Sequence, residues 1–254
     1  MSISETDPEF VTALARGLSV IRAFDKGFEE LTLSEVAGRT GLNRAAARRF
    51  LLTLEALGYV RQSGRLFRLT PKVLDLGYSY LQSVPLWEKA LPYMKEIVDQ
   101  VDESCSLAVL SGPDVVYLAR VPPRHVYTIP VHVGTRMPAY VNSMGRVLLA
   151  ELSASELDAY FAQVELQKLN PHTRATREEL LEAIREVREK GYALIEHELH
   201  EGRCSIAVPV RDRSGKAVAG INISALMSRK SRDDFLGTLL PLLKEAAKQI
   251  GASA

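Results

Sequence analysis

Three arginines, Arg44, Arg48 and Arg49, follow Asn43 at the spacing of the first turns of a helix. Guanidinium groups placed in this way can donate hydrogen bonds to phosphate oxygens and to the edges of guanine bases. The segment 39–72 contains eight basic residues and one acidic residue, so its formal net charge is +7 and the remainder of the chain carries −6. A local basic block on an otherwise acidic chain predicts a surface that binds a polyanion, although charge alone is equally compatible with a solvated face.

The residues around this basic block have the pattern of two short helices joined by a tight turn. Thr32 and Glu35 have capping-box spacing at the start of the first helix, and Gly41 permits the turn. Asn43 is predicted to cap the second helix, whose apolar positions recur on the opposite side from the arginines. Those apolar positions are Ala47, Phe50, Leu51, Leu54 and Leu57. With an earlier helix over about residues 8–25, the pattern predicts a helix-turn-helix.

A hairpin follows this unit in the segment "YVRQSGRLFRLT", with Ser63 and Gly64 between two short strand-like runs. Arg61, Arg65 and Arg68 add cations that can lie along a phosphate backbone. Together these features predict a winged helix-turn-helix that binds double-stranded DNA. A small helical domain with a charged surface does not explain why the cations gather on the turn, the helix front and the hairpin. The candidate DNA-binding residues are Ser34, Asn43, Arg44, Ala45, Arg48, Arg49, Arg61 and Arg65.

A connector helix is predicted after the hairpin. Thr70 and Pro71 have the spacing of a helix cap followed by proline at the first helical position, and apolar residues continue to about Ser83. The predicted divisions are a winged-helix domain at residues 1–69, the connector at 70–85 and a second domain at 86–254.

The second domain mixes helical and strand patterns. An amphipathic helix containing Pro92 precedes three strand-like segments, "SLAVLSG", "VVYLARV" and "HVYTIPV". Three helical patterns follow, the last over residues 176–190, and then the strand-like segments "GYALIE", "CSIAVPVRD" and "AVAGINIS". A helix over residues 233–250 closes the chain. This order predicts an α+β domain with a largely antiparallel sheet, similar in architecture to GAF and PAS ligand-sensing domains.

Several other classes of protein are disfavoured by the sequence. No apolar run approaches the roughly 18 residues needed to span a bilayer, and "MSISETDPEF" does not have the pattern of a signal peptide. Two cysteines do not make a disulfide framework, so we expect a cytoplasmic protein. "SMGRVL" lacks the second glycine of a G-x-S-x-G elbow, and neither a Ser-His-Asp arrangement nor a glycine-rich phosphate loop stands out. We therefore predict neither an enzyme nor a cofactor. A small-molecule hydrolase with a DNA-binding arm is the alternative from another class.

Two further groups allow a functional and a plainer interpretation. His197 and His200 are three residues apart among glutamates and could share a metal ion, although an exposed polar loop is favoured. Cys204 could be a reactive thiol, although a buried residue in a strand is favoured.

The chain as a whole resembles the IclR family of bacterial transcription regulators. In the first domain the similarity rests on "ALARGLSVIRAF", "LTLSEVAGRTGLNRAAARRFLLTLEALGYV" and the hairpin. In the second it rests on "VGTRMPAYVNSMGRVLLA", "GYALIEHELHEGRCSIAVPVRD" and "GKAVAGINIS". The first of these three is most similar to regulators of the β-ketoadipate pathway, which degrades protocatechuate, 4-hydroxybenzoate and related aromatic acids.

This resemblance implies a homodimer, or a dimer of dimers, that binds a palindromic operator and pairs through its N-terminal helix. It implies contact with RNA polymerase if the protein is an activator, and no contact with a membrane. The second domain is expected to bind a small carboxylated effector, such as protocatechuate, 4-hydroxybenzoate or β-ketoadipate. A short aliphatic acid similar to glyoxylate, or a metal ion, is the alternative effector.

The effector cavity implied by the resemblance lies on one side of the sheet. Its predicted residues are Arg136, Tyr140, Asn142, Ser143, Met144, Gly145, Leu194, Cys204, Asn222 and Ser224. Residues 142–145 are expected at a helix start whose free N–H groups can bind a carboxylate. Asn222 and Ser224 alternate in a strand, so both should face the cavity. Arg136 is a candidate for the carboxylate, with a structural salt bridge as its alternative role.

Overall fold

The computed structural model describes residues 6–124 and 131–252. The chain divides into two compact units, and the division lies between Gln82 and Ser83. The connector is therefore placed mostly with the first unit, while the predicted boundaries after residues 69 and 85 stay predictions.

The first unit is a winged helix-turn-helix followed by one further helix. Its elements are α1 (Thr12–Arg22), β1 (Leu31–Thr32), α2 (Leu33–Thr40), α3 (Arg44–Ala56), β2 (Val60–Ser63), β3 (Leu66–Leu69) and α4 (Leu74–Ser83), with a 3₁₀ turn at Pro71–Val73. The predicted hairpin is β2 and β3, and β1 also pairs antiparallel with β3. A strand of two residues is too short to leave an alternating pattern in the sequence, so β1 was not predicted.

Local capping places the two helices of the helix-turn-helix as predicted. The Thr32 side chain and Glu35 form a capping box at the start of α2, and Gly41 ends that helix with φ of 68°. Asn43 Oδ1 accepts a hydrogen bond from the Ala46 backbone N–H at 2.8 Å. The buried residues of α3 are Ala47, Leu51 and Leu54. Leu57 was expected to be buried and is 53% exposed, because α3 ends one residue before it.

The second unit is an α+β domain built on one antiparallel sheet. Its elements are α5 (Leu86–Val101), β4 (Ser104–Ser111), β5 (Asp114–Val121), β6 (Arg136–Pro138), α6 (Ser143–Leu149), α7 (Ala154–Gln163), α8 (Arg177–Lys190), β7 (Ala193–Glu196), β8 (Arg203–Arg211), β9 (Ala217–Leu226), α9 (Arg232–Asp234) and α10 (Leu240–Ala252), with a π-helical stretch at Phe235–Leu239. The strand order is β6-β5-β4-β9-β8-β7, and every pair is antiparallel. The predicted fold class is confirmed. The predicted strand "HVYTIPV" falls almost entirely on residues 125–130, which lie outside the described residues.

Helix α6 lies very close to the sheet and to the turn that precedes it. A Cβ added at Gly220 on β9 would be 2.9 Å from Met144 Cβ, and a Cβ added at Gly145 would be 2.2 Å from the Ala139 carbonyl oxygen. These two glycines therefore set the separation between α6 and its surroundings. Met144 and Gly145, which the sequence placed on the cavity, serve this packing.

Candidate nucleic-acid interface and effector cavity

A basic groove lies between α3 and the wing, which is the hairpin formed by β2 and β3. Four of the predicted DNA-binding residues line it, namely Ser34, Arg44, Arg48 and Arg65. Arg44 and Arg48 are exposed and four residues apart, so they lie one above the other on the same side of α3. Ala45 and Arg49 are also exposed, but they lie further around the helix from the groove.

The remaining two predicted residues have different positions. The side chain of Asn43 caps α3, so its carbonyl oxygen is already engaged. Arg61 lies on β2 opposite Arg68, whereas its neighbour Gln62 lines the groove. Because side chains alternate along a strand, Arg61 and Gln62 point to opposite faces of the wing. Gln62 was not predicted from the sequence. A signal was present, because residues two apart on a strand share a face and Val60 faces the core of the domain.

The second unit contains a polar cavity above one face of the sheet. Its water-accessible interior is small, about 60 Å³, and the cavity is partly open to solvent. The apolar part of its lining consists of Val131, Met137, Val141, Ile195 and Leu199. Its floor is formed by residues of β5, β4, β9 and β8.

Strand register explains which residues form this floor. Ser106 on β4 lies opposite Arg120 on β5 and opposite Asn222 on β9, so the three residues form a row across three strands. Ser205 on β8 lies opposite Ser224 on β9 in the adjacent row. Directly opposed residues in an antiparallel sheet share a face. All five residues line the cavity.

The charged residues of the lining are two arginines and Glu198, whose carboxylate is paired with the buried Arg146. Arg120 and Arg203 both line the cavity. Burial is the main cause that lowers the pKa of the Arg120 guanidinium; Tyr117 opposes this effect and the charge of Arg203 adds to it. In residues 6–124 and 131–252, Arg120 forms no ion pair with a carboxylate. An anion in the cavity would be attracted to Arg120 and Arg203.

The start of α6 lies at the cavity but is not free. Asn142 Oδ1 accepts hydrogen bonds from the backbone N–H groups of Met144, at 3.0 Å, and Gly145, at 3.4 Å. The prediction that these N–H groups are open to a carboxylate is therefore wrong, because Asn142 is itself the helix cap. The Asn142 amide nitrogen donates to Tyr117 Oη at 3.0 Å, and Ser143 Oγ accepts from the Asn222 side chain at 3.3 Å.

Arg136, Tyr140 and Leu194 do not line the cavity. Arg136 pairs with Asp114 at 3.0 Å, which corresponds to the structural salt bridge considered as its alternative role. Tyr140 Oη exchanges hydrogen bonds with the backbone of Gln167. Leu194 borders a different cleft, because it is Ile195 that shares a face with Ser205.

Cys204 borders the cavity, but it is one residue from Ser205 and its side chain therefore points to the opposite face of β8. Burial raises the pKa of its thiol to about 12, so the plainer interpretation, a buried residue, describes its position.

Twelve residues that line the cavity were not predicted from the sequence. Five are the apolar ones named above, and the other seven are Ser106, Tyr117, Arg120, Glu198, His200, Arg203 and Ser205. One signal for Arg120 was present, since it is a single charged residue inside the apolar run "VVYLARV". Because burying an unpaired charge is costly, a lone arginine in such a strand indicates that one face of the strand borders a polar site.

The β7–β8 loop, residues 197–202, borders the cavity opposite the floor. Glu198, Leu199 and His200 line the cavity, and the buried carboxylate of Glu198 accepts a hydrogen bond from Arg146 at 2.6 Å. His197 Nδ1 accepts from the Gly202 backbone N–H at 2.9 Å, and its ring lies 5.1 Å from the ring of His172. No cluster of three metal-ligating side chains occurs among the described residues, which gives the His197 and His200 metal hypothesis no geometric support.

Comparisons with known proteins decide the family. The family model "Bacterial transcriptional regulator IclR C-terminal" matches residues 78–252, and "IclR helix-turn-helix domain" matches residues 13–64. The chain belongs to the IclR family. No helix among the described residues of this IclR-family protein has the length and apolar character needed to cross a membrane.

Similar proteins include regulators of known operons. The Pca regulon regulatory protein of Pseudomonas putida is 40% identical over 96% of this IclR-family chain and 84% of its own. The p-hydroxybenzoate hydroxylase transcriptional activator of Acinetobacter baylyi is 33% identical over 95% of this chain and 91% of its own. The crystal structure of a transcriptional regulator from Rhodococcus sp. RHA1 is 48% identical, covers 95% of this chain and 97% of its own, and has a TM-score of 0.84.

Proposed function

We propose that this IclR-family protein is a cytoplasmic transcription regulator of genes for aromatic-acid breakdown, controlled by a small carboxylated effector that is aromatic or derived from the pathway. It acts by binding rather than by turnover. The observation that carries this proposal is the polar cavity with Arg120 and Arg203 in its lining. The activator of a p-hydroxybenzoate hydroxylase among its relatives supports the aromatic class of effector.

The effector binds with its carboxylate toward the two arginines. A guanidinium can form two parallel hydrogen bonds with a carboxylate, so Arg120 favours this group over a neutral one. The ring of an aromatic effector packs against the apolar part of the lining, which includes Met137, Val141 and Leu199.

The groove between α3 and the wing binds DNA. Arg44 and Arg48 contact base edges or phosphates in the major groove, and Arg65 contacts the adjacent backbone. Leu14 and Leu18 on α1 are 63% and 43% exposed in the single chain, which supports pairing of two copies through this helix. A homodimer or dimer of dimers matches a palindromic operator. When the effector activates transcription, the bound dimer also contacts RNA polymerase.

A thermal-shift screen of the full-length protein tests the effector class. The panel is protocatechuate, 4-hydroxybenzoate, β-ketoadipate, cis,cis-muconate, glyoxylate and zinc. A ligand at 100 times its Kd adds about 2.7 kcal/mol to the stability of the state it binds. We expect a shift with at least one acid of aromatic breakdown, and we expect Arg120→Met to reduce it. A shift with glyoxylate alone, or with zinc alone, would contradict the proposal in favour of that effector.

A further inference from the structure

One acceptor on the floor of the cavity has no donor. Asn222 is 5% exposed, and its amide nitrogen donates to Ser143 Oγ at 3.3 Å. Its carbonyl oxygen, Oδ1, has no hydrogen-bond partner in the described parts of the chain. Buried amide oxygens are nearly always paired, so an unpaired one at a cavity wall is suited to a donor on a ligand.

The position of Asn222 relative to Arg120 restricts that ligand. Both residues lie in the row that contains Ser106, one strand to either side of it. Since neighbouring strands are about 4.8 Å apart, the backbones of Arg120 and Asn222 are roughly 10 Å apart. A ligand that contacts both side chains needs an anionic group at one end and a hydrogen-bond donor at the other. An aromatic ring with a carboxylate and a hydroxyl has this form.

Resting on the proposed function, we propose that Asn222 determines effector specificity by accepting a hydrogen bond from a ring hydroxyl, while Arg120 binds the carboxylate. The effectors are then hydroxybenzoic acids rather than keto acids. While Asn222 Nδ2 donates to Ser143 Oγ, a ketone or second carboxylate presents oxygen lone pairs to Oδ1, which repel it and leave it unpaired. An unsubstituted benzoate leaves the same oxygen without a partner.

Isothermal titration of the full-length protein with matched acids tests this inference. The acids are benzoate, 3-hydroxybenzoate, 4-hydroxybenzoate, protocatechuate and β-ketoadipate. We expect the wild type to bind at least one hydroxybenzoic acid about tenfold or more tightly than benzoate, the usual scale for one buried hydrogen bond. In Asn222→Leu this ratio should fall to about one, with binding of benzoate retained. Arg120→Met is the matched control, since it should weaken benzoate and hydroxybenzoates by a similar factor and leave the ratio unchanged.

A second variant protects the test against misfolding. Asn222→Ser withdraws the amide oxygen but keeps a polar group beside Ser143. As in Asn222→Leu, the ratio of hydroxybenzoate to benzoate affinity should fall to about one. Equal affinity of the wild type for benzoate and hydroxybenzoates, tightest binding of β-ketoadipate, or a ratio that survives both substitutions would overturn this inference alone. Absence of binding with every acid would overturn the proposed function together with it.

Discussion

Arg146 on α6 and Glu198 in the β7–β8 loop form a buried ion pair with two hydrogen bonds. Arg146 Nη2 donates to Glu198 Oε2 at 2.6 Å and Nη1 donates to Oε1 at 3.2 Å. Both side chains are more than nine-tenths buried. Burial lowers the pKa of Arg146 while the Glu198 charge raises it, so the guanidinium stays protonated at neutral pH. The pair joins the helix at the cavity to the loop that carries Leu199 and His200.

Breaking this pair should be far more costly than breaking a surface pair. Arg146→Met leaves the buried Glu198 carboxylate with only the partly exposed Arg174, at 3.8 Å, as its counter-charge. We expect a loss of about 3 kcal/mol in the free energy of unfolding. Urea denaturation measures it. Arg146→Met/Glu198→Met should recover most of the loss. Arg124→Met, which breaks an ion pair whose side chains are 73% and 65% exposed, should cost under about 1 kcal/mol. Equal losses in the two single variants would contradict this account.

Substitution of the groove arginines should change the salt dependence of DNA binding. Removal of one arginine–phosphate interaction lowers the magnitude of the log–log salt slope by about 0.9 on duplex DNA. We therefore expect Arg44→Ala/Arg48→Ala to bind a duplex selected from a random library more weakly and with a shallower slope. Fluorescence anisotropy at several salt concentrations measures both quantities. Arg185→Ala, which removes an exposed cation from α8, is the control and should leave the slope unchanged.

A methyl group at Gly145 should disturb the start of α6. Its Cβ would lie 2.2 Å and 2.5 Å from the carbonyl oxygen and Cα of Ala139, and backbone atoms cannot move aside cheaply. We expect Gly145→Ala to lower the free energy of unfolding by about 3 kcal/mol. Gly77→Ala on α4 is the matched control, because nothing lies within 4 Å of its added Cβ. That change should be neutral or stabilise by up to about 1 kcal/mol. A tolerated Gly145→Ala would show that α6 is less closely held.

Both thiols should be unreactive in the folded protein. Burial raises the pKa of Cys204 to about 12 and raises that of Cys105 well above its ordinary range. At pH 8 the thiolate fraction of Cys204 is then on the order of one in ten thousand. We expect no rapid release of colour from Ellman's reagent by native protein, and two equivalents after denaturation in guanidinium. Rapid reaction of one native thiol would contradict the buried assignment.

Acid should weaken the start of α8. Glu179 Oε2 accepts from the backbone N–H groups of Ala175 at 3.0 Å and Thr176 at 3.1 Å, and these bonds lower its pKa. Because the folded-state pKa lies below the unfolded value of about 4.5, this carboxylate stabilises the fold above that pH. The stabilisation is lost as the pH falls through the folded-state pKa. Glu179→Gln should therefore destabilise the protein at pH 7 and have a smaller effect near pH 3, as measured by urea denaturation.

Thr176→Ala is the control for the acid effect. The Thr176 hydroxyl has a smaller influence on the Glu179 pKa than the two backbone N–H groups, so this variant should lose stability yet keep most of the pH dependence. A Glu179→Gln effect of the same size at both pH values would contradict the assignment.

Features set by neighbouring residues could be predicted from the sequence. The capping box at Thr32, the turn at Gly41 and the cap at Asn43 each depend on residues within four positions. The common face of Asn222 and Ser224 depends only on the two-residue period of a strand.

Features set by distant pairing could not be predicted. The face on which Leu194 lies depends on its register with β8, and a shift of one residue exchanges the two faces of a strand. Arg136 is paired with Asp114, 22 positions earlier, and Tyr140 with the backbone of Gln167, 27 positions later. The lone charge of Arg120 in an apolar strand is visible in the sequence, but its place at the cavity depends on β4, which puts Ser106 between Arg120 and Asn222.

Side chains alternate along β9, so one face of the strand is selected for ligand recognition and the other for packing. Asn222 and Ser224 face the cavity, whereas Ile221 and Ile223 are fully buried on the other face. A codon change at a cavity position can therefore alter which molecule is recognised while the packing of the core is kept. During evolution, single substitutions at cavity positions can therefore change the effector of such a regulator, while its fold and its promoter specificity stay the same.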